Sequence, residues 1–289
     1  MARLPVSTAR FRRRPDSHKG DYGHLLVLGG SVGYSGAPVL CALGALRSGA
    51  GLVTVGVPES TYFIVAAQLL EAMPTPLEEA IGGCVSPAAI QKVHELAGRA
   101  TAVALGPGLS QQAATQRFVR QLLLTLRLPC VVDADGLNAL AGHLQLLRRA
   151  RAPLIVTPHP GEMARLVGRR VEAVQADRLR IAREAAARWR AVVVLKGHRT
   201  VVAAPTGRTY VNSTGHAGMA TGGMGDVLTG VIGSLLGQGF APFDAAVAGV
   251  YLHGRAGDLA ARVLGPVGLL ATDVATRLPA AIHQLVRHG

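Results

Sequence analysis

The segment Ala220-Thr221-Gly222-Gly223-Met224-Gly225-Asp226 runs straight into an apolar helical pattern made by Val227, Leu228, Val231, Ile232 and Leu235. Glycines let successive backbone N–H groups turn toward one point, and the positive end of the following helix strengthens their field. Gly222, Gly223 and Gly225 could therefore form an anion hole for a phosphate. A carboxylate beside such a hole, Asp226, is placed to take the proton of a hydroxyl that attacks phosphorus. The same residues also read as a tight turn with Asp226 as a helix cap, because glycine-rich turns before helices are common.

Four further polar segments each follow a short apolar run. Gly106-Pro107-Gly108 follows Ala102–Leu105, Asp133-Ala134-Asp135-Gly136 follows Cys130–Val132, Thr157-Pro158-His159-Pro160-Gly161-Glu162 follows Pro153–Val156, and Lys196-Gly197-His198-Arg199-Thr200 follows Val192–Leu195. Gly108 suits a backbone passing close to phosphate, and equally a turn at positive φ. His159 stands between two prolines in a loop, which favours contact with a ligand over a place in the core. Lys196 directly after an apolar strand reads as a cation aimed at an anion. Asp133 and Asp135 could reach Mg2+ through water, but capping the helix that starts near Gly136 is the favoured reading.

These segments need a scaffold that brings them to one edge. The apolar runs Leu25–Leu28, Leu52–Val57, Ala102–Leu105, Cys130–Val132, Pro153–Val156 and Val192–Leu195 alternate with helical stretches, which predicts a mostly parallel sheet covered by helices on both faces. Ligands bind such sheets at the carboxyl ends of the strands, where all four segments fall. From Val171 to Trp189 a single helix is expected. Val174, Ile181, Ala185 and Trp189 would share its buried face, leaving Arg178, Arg180, Arg183 and Arg188 free to reach solvent. Thr200–Ala204 and Arg208–Val211 read as a hairpin through Pro205, Thr206 and Gly207. Long helical patterns follow from about Gly225 to Leu236, Phe243 to Leu264 and Leu270 to Val286.

Composition narrows the classes. With 289 residues, 49% hydrophobic and 16% charged, the chain can bury a large core, and its 36 glycines and 16 prolines fit many strand-to-helix turns. The uncharged run from Leu25 to Leu46 is broken by Gly29, Gly30, Gly33, Gly36 and Pro38, so it predicts a loop, not a membrane span. The basic start at Arg10, Arg12, Arg13 and Arg14 is interrupted by Asp16 and Asp21, unlike an export signal, and the cytoplasm is the expected compartment. Cys41, Cys84 and Cys130 lack paired spacing and read as buried thiols. The net charge of +13 comes almost entirely from scattered arginine, with few aromatic residues between. It favours small anionic ligands over nucleic acid.

Gly222–Asp226 resembles the signature of ribokinase-like enzymes. The wider set is more specific: Ser17-His18-Lys19-Gly20-Asp21-Tyr22-Gly23, Tyr34-Ser35-Gly36-Ala37, Gly106–Gly108, Thr157–Glu162, Lys196–Thr200 and Asn212-Ser213-Thr214-Gly215 together resemble the ADP- or ATP-dependent NAD(P)H-hydrate dehydratase family. The resemblance runs from about Ser17 to near the C-terminus. It implies a ribokinase-like three-layer α/β sandwich forming one domain over residues 18–289, behind a loosely attached arm, 1–17. It implies that Ala37, Gly108, His159 and Asp226 contact the hydrated nicotinamide nucleotide, that Lys196, Gly197, His198, Arg199, Thr200 and Gly225 contact the phosphoryl-donor nucleotide, and that Asp226 is the base. Ala37 could instead serve only close helix packing. No protein-held metal is expected; Mg2+ would come with ADP or ATP. A homotetramer and a separate epimerase are the expected partners, since the chain leaves no room for an epimerase domain. A small-molecule kinase of the same superfamily is the rival reading, disfavoured by Thr157–Glu162 and by the lack of an obvious lid insertion. A non-catalytic nucleotide-binding protein is the third.

Overall fold

A computed structural model describes residues 6–288. Its centre is a nine-stranded sheet. The elements run β1 (His24–Leu28), α1 (Gly36–Arg47), β2 (Leu52–Pro58), α2 (Tyr62–Ala66), β3 (Met73–Leu77), β4 (Glu79–Ala80), β5 (Cys84–Val85), α3 (Ile90–Ala97), β6 (Ala102–Leu105), α4 (Ala113–Thr125) and β7 (Cys130–Val132). They continue with α5 (Ala134–Asn138), α6 (Gln145–Arg149), β8 (Leu154–Val156), α7 (Pro160–Val167), α8 (Val171–Ala176), α9 (Arg178–Trp189), β9 (Val192–Leu195), β10 (Val201–Ala203), β11 (Thr209–Val211), α10 (Met224–Gly237), α11 (Pro242–Leu264) and α12 (Ala271–His288).

The strand order is β11-β10-β9-β8-β7-β6-β1-β2-β3, parallel from β3 through β9 and antiparallel for β10 and β11. All six strands and the hairpin expected from the apolar runs are present. The hairpin closes through Pro205–Gly207, with Ala204 N donating to the Arg208 carbonyl at 2.9 Å. Successive side chains of β1 point to opposite faces. Leu25 and Val27 join a core with α1, α10, α11 and α12, while Leu26 and Leu28 join a second core with α3, α4, α7 and α9. These two cores make the three layers. Cys41, Cys84 and Cys130 are buried and free. Among the described residues no helix is long and apolar enough to cross a membrane.

The structure also adds to and corrects the expectation. β3 is an edge strand containing Pro74 and Pro76, whose missing N–H groups a central strand would not tolerate. The helix expected over Val171–Trp189 is two helices. Asp177, at φ −145° and ψ 62°, ends α8, and its side chain caps α9 by accepting from Arg180 N. Val174, Ile181, Ala185 and Trp189 are buried as the periodicity requires. Arg178 is half-buried: it keeps some contact with solvent, but its guanidinium also bonds the end of β9, because the start of α9 lies beside that strand end. At the N-terminus, Phe11 packs on Phe240 with ring centroids 5.2 Å apart and Arg13 donates to the Gly49 carbonyl at 2.8 Å. Residues 1–5 of the expected arm lie outside the described residues.

Candidate active site

The chain leaves β1 toward β2 and β3 on one side, then returns to build β6 through β11 on the other. The crevice of such a sheet opens above the reversal, between β1 and β6. Gly30 N bonds the Pro107 carbonyl at 2.8 Å across this gap. Gly108 follows at φ +65°. A Cβ there would lie 2.7 Å from the Tyr34 carbonyl oxygen and 3.0 Å from Ala37 Cβ, so no side chain fits. Ala37 and Gly108, two residues expected to bind substrate, are thus packed together at the crevice. Ser110 N donates to Asp135 at 2.9 Å, which ties the Gly108 loop to the segment after β7.

That segment holds the centre of the site. Asp133 is 1% exposed, and its carboxylate accepts from Lys196 Nζ at 2.5 Å and from Thr229 Oγ1, one turn into α10, at 2.7 Å. Glu162 stands 3.8 Å from the same ammonium. The favoured reading of Asp133 and Asp135 as helix caps is therefore corrected. Asp133 occupies the N-cap position of α5 but its side chain makes no capping bond, and Asp135, in the first turn, accepts from Ser110 N and Asn138 Nδ2. The expectation put a ligand anion opposite Lys196; the partner in the structure is a buried carboxylate of the protein. Burial works against the Lys196 charge. Asp133 and Glu162 outweigh it and hold the ammonium's pKa above its ordinary value.

His159 caps α7. Its Nδ1 accepts from Gly161 N at 3.0 Å and Glu162 N at 3.3 Å, while Glu162 accepts from His159 N at 2.7 Å, a reciprocal capping box. Burial, aided by Lys196, lowers the His159 pKa, so the ring is neutral with its proton on Nε2. Burial pushes Glu162 up to about 7 despite the nearby ammonium.

The glycine loop completes the arrangement. Gly223, at φ +84°, is the N-cap of α10 and offers no side chain to its first turn, so the N–H groups there carry no side-chain cap. A Cβ on Gly225 would be 3.4 Å from Lys196 Nζ and 3.6 Å from Asp133 Oδ2, which places the loop directly over the ion pair. Asp226 sits in this first turn and is not the N-cap. Its carboxyl is pushed up to about 7, first by burial and then by Asp133, against the pull of Lys196. Behind the turn, burial holds the His253 imidazole down to about 4, and therefore neutral.

In the Lys196–Thr200 loop, His198 and Arg199 are exposed at the tip, and Thr200 Oγ1 closes the loop on the Gly197 carbonyl at 2.9 Å. Among the described residues four non-glycine positions have positive φ, and three of them, Ser110, Ala134 and Arg199, lie just beyond the carboxyl ends of strands, where backbone strain commonly marks a functional site. Asn212 and Thr214 instead anchor their segment to α11, through the Val250 and Tyr251 carbonyls. Sequence reasoning gave no role to Glu162 or Thr229. The His159-x-x-Glu162 spacing of the capping box was a readable signal for the first; nothing local marks the second.

The carboxylates best placed for a divalent cation are already engaged. Asp133 and Asp135 each accept two protein hydrogen bonds, and Glu162 accepts one and faces Lys196. Among the described residues no group of three or more His, Cys, Asp or Glu is arranged to hold a metal ion.

Three-layer sheet, switch-point crevice and glycine loop over an ion pair together define a ribokinase-like protein. An Arabidopsis thaliana ribokinase shares the fold, with TM-score 0.57 at 14% identity over 92% of this chain and 99% of that one. The family model described as NAD(P)H-hydrate dehydratase matches residues 25–280, and the chain belongs to that family. It is 43% identical to the ADP-dependent (S)-NAD(P)H-hydrate dehydratase of Neisseria meningitidis, over 91% of this chain and 86% of that one. It is 48% identical to the bifunctional NAD(P)H-hydrate repair enzyme of Moorella thermoacetica, over 95% of this chain and 52% of that protein. The chain thus spans about half the length of the bifunctional relatives it matches. The Bacillus subtilis ADP/ATP-dependent NAD(P)H-hydrate dehydratase, co-crystallised with ATP/Mg2+, superposes with TM-score 0.82 at 33% identity, covering 98% of this chain and 99% of that one.

Proposed function

We propose that this chain dehydrates the S epimer of hydrated NADH or NADPH at the expense of ADP or ATP, acting as a hydro-lyase of nicotinamide nucleotide repair. The observation that carries the reading is the juxtaposition of an uncapped, glycine-built helix start with an acid held at about 7. Hydroxide is a poor leaving group and phosphate a good one, so the hydrate's hydroxyl is first phosphorylated. Asp226 takes the hydroxyl proton as the oxygen bonds the terminal phosphorus, and the bond from that phosphorus to the rest of the nucleotide breaks. The N–H groups from Gly222 to Gly225 stabilise the charge on the transferred phosphoryl group. Electrons of the ring nitrogen then expel phosphate, and loss of a proton from the adjacent carbon restores the dihydronicotinamide.

Ala37, Gly108 and His159 bind the hydrated nucleotide. Residues 196–200 and Gly225 bind the phosphoryl donor. Mg2+ carried on the nucleotide would neutralise phosphate charge, and Asp133, Asp135 and Glu162 are the carboxylates that would lie toward it. We further propose one ribokinase-like domain over residues 18–289, a cytoplasmic homotetramer, and an epimerase that supplies the S epimer. The test is recovery of absorbance at the reduced-nicotinamide band when purified protein meets hydrated NADH, Mg2+ and ADP or ATP. Nucleotide-dependent recovery supports the reading. Folded protein that binds nucleotide and restores nothing with either donor contradicts it in favour of a small-molecule kinase.

A further inference from the structure

Two cations meet the carboxyl end of β9, and only one is neutralised by the protein. Lys196 is paired with Asp133 and Glu162. Arg178 reaches the same strand end from the start of α9. One terminal guanidinium nitrogen donates to the Leu195 carbonyl at 2.8 Å and the Lys196 carbonyl at 3.1 Å, and the other donates to the Gln175 side chain at 2.8 Å. Its Nε is buried and has no hydrogen-bond partner among the described residues. No carboxylate among the described residues lies within ion-pair distance of it, and burial alone accounts for the lowering of its pKa. A Cβ on Gly197 would lie 3.1 Å from a guanidinium nitrogen, so the group rests directly against the Gly197 backbone.

Carbonyl oxygens satisfy hydrogen-bond donors but leave the positive charge uncompensated, and a guanidinium stays ionised when partly buried. Reaching two successive carbonyls and a side-chain amide also calls for a fork, which an ammonium lacks. We infer that Arg178 is a positioning residue of the nucleotide site. It holds the Lys196–Thr200 loop from beneath Gly197 and adds positive charge toward the nucleotide phosphates, where the charge of Lys196 is largely offset by Asp133 and Glu162. The inference rests on reading residues 196–200 as the nucleotide loop.

Titration calorimetry with ADP and with adenosine, on wild type, Arg178→Gln and Arg178→Lys, tests it, alongside thermal melts and the KM for the hydrate. In Arg178→Gln, ADP binding is expected to weaken at least about tenfold, the size of one lost charge-assisted contact, with adenosine binding and the hydrate KM within about twofold. Arg178→Lys, which keeps the charge without the fork, guards against a Gln variant that does not fold; its ADP affinity should fall between wild type and Gln. Wild-type ADP affinity in either folded variant overturns the inference. So does an equal loss for ADP and adenosine, which would assign Arg178 to loop shape alone. Wild-type protein that binds neither ADP nor ATP removes the nucleotide-loop reading itself, and the inference with it.

Discussion

The floor and the rim of this site treat their carboxylates in opposite ways. On the floor Asp133 is closed: both oxygens accept hydrogen bonds, from Lys196 and Thr229. On the rim Asp226 is acted on only by burial and by charges at a distance, and it is pushed up to about 7. A closed carboxylate holds structure, whereas a desolvated one without a partner is poised to exchange a proton near neutral pH. The lesson is that the obvious cation of the motif, Lys196, belongs first to the floor.

The largest effect expected from breaking this contrast is at Asp226. Asp226→Asn should lower hydrate turnover by about 10³-fold or more, as loss of a general base does, with ADP affinity changed less than about threefold. Steady-state rates and calorimetry check both parts. On the floor, Lys196→Met leaves Asp133 as an unpaired buried charge and should cost about 3–5 kcal/mol of stability. Adding Asp133→Asn to it should return most of that loss, and urea melts of the single and double variants measure the coupling.

The central architecture was legible because strands buried on both faces must be continuously apolar, as Val192–Leu195 and Ala102–Leu105 are. Met73–Leu77 was not legible, because Pro74 and Pro76 argue against a strand until it is known to lie at an edge. The break at Asp177 was hidden because the apolar period continues in phase from Val174 to Ile181. Candidate site residues could be named one by one, yet their pairing could not. Lys196 and Thr229 come to Asp133 from 63 and 96 residues away, and only the sheet brings them together. The contact of Arg178 with β9 was hidden for a related reason: a helical period says which face meets the helix's own core and nothing about a neighbouring strand end.

Smaller effects sharpen the same contrast. Thr229→Val removes one of the two bonds to Asp133 and should cost about 1–3 kcal/mol, read from denaturant midpoints. Asp226→Asn should stabilise the protein at alkaline pH. The folded carboxyl has a raised pKa, so its stability contribution is full below the unfolded value and is lost as pH rises through about 7. The move from 3.8 to about 7 bounds the penalty at about 4 kcal/mol, so the substitution should raise Tm by several degrees at pH 8, with little change at pH 4.

Glu162 is also pushed up to about 7, so the central claim that Asp226 is the titrating base is tested most directly by the pH dependence of kcat in wild type and Glu162→Gln. The account predicts a limb rising with pH through about 7 in both, since Asp226 must be ionised to accept the proton. Loss of that limb in Glu162→Gln, with turnover retained, would give the base role to Glu162 and contradict the account.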